Sequence, residues 1–304
     1  MTDGVTADLT ELIALQRDVQ IGHYRPLGRA LCGGKHLSRL RGRGMDFAEV
    51  RNYQAGDEIR HMEWRVTART GRPHVKLYQE ERERPVIILT DFNPSMYFGT
   101  RLAFKSVIAA RLAAILAWTV VKQGDRVGGL LFSATDHNEF TPRGRETGVM
   151  PFLAALSHYT HDLSQLNTQQ NSRPLSYVLQ RVRRVVKPGS LLVLISDFYN
   201  LDKDSAQHLS RLRRHNDVLV YHLCDPLEIA PPKPQQYAIT DGDQDVFMDT
   251  TVDAVRTAYR RYCEQRIAAL QAQMHCLQIQ YVQVTAETDL SLLVRQTFLR
   301  RANA

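Results

Sequence analysis

Two places in this 304-residue chain put oxygen-bearing side chains at the end of a short apolar run. The first is Asp91-Phe-Asn-Pro-Ser95, after Val86-Ile-Ile-Leu89; the second is Ser196-Asp197, after Leu191-Leu-Val-Leu-Ile195. Carboxylates grouped with amide and hydroxyl oxygens suit a hard cation such as magnesium, which takes oxygen ligands octahedrally and keeps several waters. Asp91, Asn93, Ser95 and Asp197 are therefore the candidate metal ligands. The same two aspartates could serve a metal-dependent hydrolase, but no second set of acidic or histidine ligands accompanies them. The plainer alternative is that each aspartate caps the following helix or binds loop amides.

Other chemistry is poorly supported. Gly33-Gly34-Lys35-His36 lacks the order of a phosphate-binding P-loop, and His-Glu-x-x-His is missing. Gly-x-Ser-x-Gly, the usual hydrolase elbow, is also missing. No catalytic residue is expected, and the chain is not expected to be an enzyme.

For the two aspartates to meet, the runs before them must be neighbouring strands. From Pro85 onward, near-continuous apolar runs alternate with helical patterns. Strands are expected at 85–90, 126–132, 191–195, 217–223 and 278–285, with a possible antiparallel partner at 137–141. Helices are expected at 101–122, 147–159, 175–187, 203–215, 252–274 and 288–301, and a small hairpin at 237–248. That alternation means an α/β domain: a doubly wound, mostly parallel sheet covered on both faces. Ligands of such sheets sit beyond the carboxyl ends of the strands, where strand order reverses. Pro226–Pro234 holds four prolines in nine residues and is expected to be an extended loop. Residues 1–84 read differently: a helix over Asp8–Gln20, then arginine-rich loops with several short strands. The expected division is an N-terminal helix plus β-rich region, 1–84, and an α/β domain, 85–304.

Composition bounds the rest. Hydrophobic residues make up 43% and charged residues 23%, the balance of a globular protein. The longest nearly apolar stretch, Ser106–Val121, is broken by Arg111, and a spanning helix needs roughly 20 apolar residues, so no membrane span is expected. The start of the chain lacks a basic region followed by an apolar core, so no secretory signal is expected. Cys32, Cys224, Cys263 and Cys276 are scattered without a Cys-x-x-Cys pair, which fits reduced thiols and a cytoplasmic location. The net charge is +7, with two acid-free basic runs, residues 25–43 and 173–187. These make nucleic-acid binding an alternative function. They lack interleaved aromatics and any recognised motif, so a nucleic-acid partner is not the favoured expectation.

Asp91-Phe-Asn-Pro-Ser95 with Asp197 on a later loop resembles the metal-ion-dependent adhesion site of von Willebrand factor A-like domains, whose pattern is Asp-x-Ser-x-Ser, then a threonine, then an aspartate. Asp91, Ser95 and Asp197 match. Asn93 replaces the middle serine, and Asn171-Ser172-Arg173 stands where the threonine belongs, so the site reads as degenerate, with magnesium the only cofactor it suggests. Arg173 would place a positive charge near any cation there. Gly42-Arg-Gly-Met-Asp-Phe47, Arg51-Asn-Tyr53, Gly56-Asp57-Glu-Ile-Arg60, Glu63-Trp64-Arg65, Ala68-Arg69 and Ser95-Met-Tyr-Phe-Gly99 resemble the signature of a bacterial family called "domain of unknown function 58". The resemblance runs over about residues 40–200. Members are typically encoded beside MoxR-type AAA+ ATPases, so it implies a non-enzymatic protein-binding adaptor in assembly or maturation of protein complexes, with an AAA+ ATPase or its client as partner.

The signature also has a direct physical reading. Arg51, Asp57, Arg60, Trp64 and Arg69 combine guanidinium–carboxylate forks, which fix orientation bidentately, with one large apolar anchor. They are expected either to dock the β-rich region on the α/β domain or to form a binding face for the partner.

Overall fold

The computed structural model describes residues 4–19, 45–54, 56–80, 84–162, 172–240 and 245–299. The basic run 25–43, Cys32, the Gly33–His36 segment and Asn171 lie outside the described residues. The described chain falls into two compact units, one of residues 4–19 with 84–299 and one of residues 45–80.

The larger unit is built on a six-stranded sheet. Its strands are β3 (Pro85–Asp91), β4 (Arg126–Phe132), β5 (His137–Arg143), β6 (Leu191–Ser196), β7 (Asp217–Leu223) and β10 (Gln280–Val284), in the order β10-β7-β6-β3-β4-β5. All neighbours are parallel except β5, which runs antiparallel to β4 at the edge. The chain starts at β3, winds outward to β4 and β5, then returns to β6 on the other side of β3. Strand order therefore reverses between β3 and β6, the doubly wound arrangement expected from the alternating apolar runs.

Period-two alternation divides the strand side chains between two cores. Val86, Ile88, Val127, Leu131, Leu191, Val193, Ile195, Leu219 and Tyr221 join a core with helices α1 (Leu9–Ala14), α3 (Lys105–Lys122), α4 (Glu146–His161) and α9 (Leu290–Leu299). Ile87, Leu89, Leu130, Phe132, Leu192, Leu194, Val218 and Val220 join the other, with α5 (Leu175–Val185), α6 (Lys203–Arg213) and α8 (Asp253–Cys276). Gly129 lets α4 come close: a Cβ there would lie 2.3 Å from the Phe152 ring.

Helix α3 is apolar nearly all round, because both α1 and α4 cover the side that the sheet does not. Trp118 of α3 donates its indole N–H to the Leu12 carbonyl at 3.0 Å, and Arg111 pairs with Glu11 at 2.5 Å. The N-terminal helix thus belongs to the α/β unit rather than to the β-rich region with which its place in the chain grouped it. It is also shorter than the pattern over Asp8–Gln20: one α-helical stretch runs into a single tight turn, Leu15–Arg17.

Another departure lies in the proline-rich segment. Pro226–Ile229 is a helical turn, α7, not extended chain. Proline suits the first helical position, where its missing N–H costs nothing, and Asp225 and Glu228 close a capping box around it. The hairpin between α7 and α8 is present, as β8 (Gln236–Thr240) and β9 (Asp245–Asp249).

The smaller unit pairs β1 (Met45–Asn52) with β2 (His74–Glu80) in antiparallel register, interrupted by a bulge between Phe47 and Glu49. Between them lies a short helix, α2 (Trp64–Thr70), which the expectation of loops and strands missed. Its start is capped by Glu63, whose carboxylate accepts from the Arg65 N–H and pairs with Lys76. Its end is Gly71, at φ 71°, the left-handed stop that glycine tolerates best.

Candidate functional site

The two sequence-selected aspartates meet. β3 and β6 are neighbours in parallel register, Thr90 opposite Ile195, so Asp91 ends one strand and Asp197 follows the other at the same rim. This rim is the switch point of the sheet, the place where open α/β folds bind ligands.

Each carboxylate oxygen has a partner. Asp91 Oδ1 accepts from the Asn93 backbone N–H and from its Nδ2, both at 2.8 Å, and Oδ2 accepts from Ser196 Oγ at 2.6 Å. Asp197 Oδ1 accepts from the Tyr199 N–H at 3.2 Å, and Oδ2 from Lys105 Nζ at 2.8 Å. Burial, with the negative charge of Asp197 second, pushes Asp91 up to about 7 despite its three donors. Burial acts on Asp197 in the same direction, but the Lys105 ammonium and the donated hydrogen bonds hold that carboxyl below its usual range. Two neighbouring acids with opposite displacements form a site where one can be neutral while the other stays charged.

Lys105 is the residue that composition and motif could not single out. It opens α3, and helix side chains tilt toward the N-terminus, so its amine reaches over the strand ends. Only 2% exposed, Lys105 also donates to Glu228 Oε1 at 2.6 Å. Burial alone would pull its pKa down; the charges and hydrogen bonds of Asp197 and Glu228 outweigh that and raise it. Glu228 sits in α7, where its other oxygen accepts from the Asp225 N–H at 2.8 Å. Asp225 in turn accepts from Thr100 N and Oγ1, at 2.7 and 2.6 Å. The loops after β3, β6 and β7 are thereby tied into one polar network.

The rings of Phe98 and Tyr199 flank the ammonium, with centroids 5.9 and 5.3 Å from Nζ. Arg266 of α8 lies 3.5 Å above the Tyr199 ring and donates to the Asp197 carbonyl at 2.7 Å. Between these residues, Phe198 adopts φ 57°, a left-handed conformation costly for a bulky residue. Its N–H donates to Ser196 Oγ at 2.9 Å, which helps to hold that turn.

The four expected ligands share the rim, and most of their side-chain oxygens are already engaged by protein donors. Asn93 Oδ1 accepts from the Arg173 N–H at 2.9 Å, so the amide ties two loops together. Ser95 Oγ is buried without a hydrogen-bond partner, although it lies close enough to Asp197 to favour the charged carboxylate. Among the described residues, no group of three His, Cys, Asp or Glu side chains is placed to hold a metal ion. The donor set does not fit a divalent cation: one free hydroxyl remains, and the Lys105 ammonium already occupies Asp197 and Glu228. Unit charges of like sign 4 Å apart repel by about 4 kcal/mol in such partly screened surroundings. The positive charge that occupies the rim is Lys105, not Arg173. The Arg173 guanidinium turns away, donating to the carbonyls of Thr135 and Asp136 at 3.0 and 3.3 Å.

Below the rim, Cys224 Sγ lies 3.4 Å from the His222 ring. Burial drives the thiol up to about 12 and the imidazole down to about 4, so neither is poised as thiolate or imidazolium.

In the smaller unit, Arg51 and Asp57 form a 2.7 Å ion pair, and Asp57 also accepts from the Gln54 N–H at 2.8 Å. Arg60, Trp64 and Arg69 are exposed within that unit, Trp64 by 65%.

Among the described residues no helix is long and apolar enough to cross a membrane. Among proteins of known sequence, the chain is similar to "Uncharacterized protein Rv1480" of Mycobacterium tuberculosis, 26% identical over 234 residues, covering 75% of this chain and 70% of that one. A Mycobacterium bovis protein, "Uncharacterized protein Mb1516", matches equally. Among solved structures, the conserved hypothetical protein BatB from Bacteroides thetaiotaomicron aligns over 70% of this chain and 96% of its own, at 14% identity and TM-score 0.42. The SpRpn10 VWA domain aligns over 71% and 95%, at 12% identity and TM-score 0.38. The family model described as "Protein of unknown function DUF58" matches residues 49–269, which include the signature residues from Arg51 to Arg69 and the whole rim, and the chain belongs to that family.

Proposed function

We propose that this protein is a non-enzymatic protein-binding module whose recognition face is the switch-point rim, and that its partner is a MoxR-type AAA+ ATPase or a client of one, in the assembly or maturation of protein complexes. One observation carries the reading: charge at the rim is buried and internally paired, whereas apolar side chains around it are exposed. Phe98 is 41% exposed, Tyr199 44% and Leu102, on the same loop as Phe98, 69%. Aromatic side chains on a rigid base are what protein interfaces use as anchors. Catalysis would call instead for an accessible nucleophile or base, and Asp91 and Asp197 are buried. The association with AAA+ ATPases that the resemblance implies suggests the class of partner.

The test is binding of the full chain to a MoxR-type ATPase encoded in the same genome, by calorimetry with and without ATP. Phe98→Ala combined with Tyr199→Ala should weaken binding tenfold or more, about 1.4 kcal/mol, while the variant remains folded and unfolds cooperatively. Undiminished binding by that variant would remove the rim as the recognition face, and no binding by the wild type would remove the ATPase.

A further inference from the structure

We propose that the Lys105 ammonium is the resident cation of the rim, bridging Asp197 and Glu228 as an ion would, and that the rim takes up no divalent metal. Three observations converge. First, Nζ sits 2.8 Å from Asp197 and 2.6 Å from Glu228, and both Lys105 and Asp197 are buried. Second, most of the other oxygens are committed: both of Asp91 to Asn93 and Ser196, that of Asn93 to the Arg173 N–H, and the second of Glu228 to the Asp225 N–H, which leaves Ser95 Oγ as the candidate ligand without a partner. Third, Lys105 opens α3, where the helix dipole disfavours a cation. Its charge is retained there because two carboxylates face it, as a metal would require. Only 2% exposed and flanked by Phe98 and Tyr199, this ammonium is shielded from a partner's carboxylate.

The experiment compares the full wild-type chain with Lys105→Gln and Lys105→Arg, using manganese as the probe. Paramagnetic resonance of free manganese reads uptake, and thermal unfolding reads stability, each with chelator and with manganese at millimolar levels. The wild type and Lys105→Arg should take up no manganese and unfold at the same temperature in both conditions. Lys105→Gln should melt lower in chelator and recover by about 3 °C or more with manganese, a gain that Asp197→Asn in the same chain abolishes. Stoichiometric uptake by the wild type that is lost in Asp91→Asn overturns the proposal. So does a folded Lys105→Gln protein that manganese does not stabilise. Should Lys105→Gln fail to fold, uptake by the wild type decides alone: its presence overturns the assignment and its absence supports it.

Discussion

Lys105 and Asp197, 92 residues apart in sequence, meet at 2.8 Å with neither side chain more than 2% exposed. A pair so deeply buried is held by mutual compensation, since desolvating either charge alone is far costlier than desolvating both together.

Lys105→Met should therefore destabilise the protein by about 3–5 kcal/mol, because it leaves carboxylates buried without their cation. Adding Asp197→Leu to that variant should restore part of the loss, since an apolar pair can replace a buried ion pair at little cost. Urea unfolding in chelator measures both. Equal stability of Lys105→Met and wild type would mean that the pair carries no energetic weight.

Two buried groups give opposite pH dependences. The carboxyl of Asp91 is raised from 3.8 to about 7 in the fold, so the folded state binds its proton more tightly. Its contribution is full below about 4 and is lost as pH rises through 7. The His222 imidazole is lowered from 6.5 to about 4, so its contribution is full above 6.5 and is lost as pH falls through 4. Between these limits the two slopes offset one another in the wild type. In Asp91→Asn the histidine slope is no longer offset, and stability should climb with pH from 4 to 6.5. Denaturant midpoints across that range check it; parallel profiles for variant and wild type would place the Asp91 proton affinity near its ordinary value.

The N-terminal helix is predicted to be part of the core rather than an appendage. Leu12 is fully buried beneath the carbonyl that Trp118 engages. Leu12→Ala should cost about 2–5 kcal/mol, as large-to-small changes at filled core sites do, and should raise the solvent exposure of the indole. A stability change below about 0.5 kcal/mol, the scale of surface substitutions, would show the helix to be dispensable.

Much of the α/β architecture was legible because its signals are local. The apolar runs at 86–89 and 191–195 are too continuous for a half-exposed strand, and they end at polar turns that mark the rim. The pairing of Asp91 with Asp197 follows once those strands are placed side by side, which alternating strands and helices nearly require. Helix α7 was hidden by the prolines in and after it, although Asp225-Pro-Leu-Glu228 carries the capping-box order with proline at the first helical position. Helix α2 was hidden by its arginines, yet Glu63 and Gly71 are recognisable as its ends.

The chemistry of the rim was only half legible. A lysine leading an apolar helix looks like a solvated end, and nothing local to Lys105 or Glu228 announces that they will touch. The strand-end pattern supplied the acids without the cation.

Periodicity and composition by themselves therefore determined the layers of this protein, the faces of its strands, and the rim at which two aspartates end neighbouring strands. Each of these depends on side-chain polarity repeating at the spacing of one element. Three-dimensional packing alone decided how the rim is neutralised, because Lys105, Asp197 and Glu228 come from three separate elements. The balance between desolvation and pairing exists only once the sheet has brought them within hydrogen-bond reach.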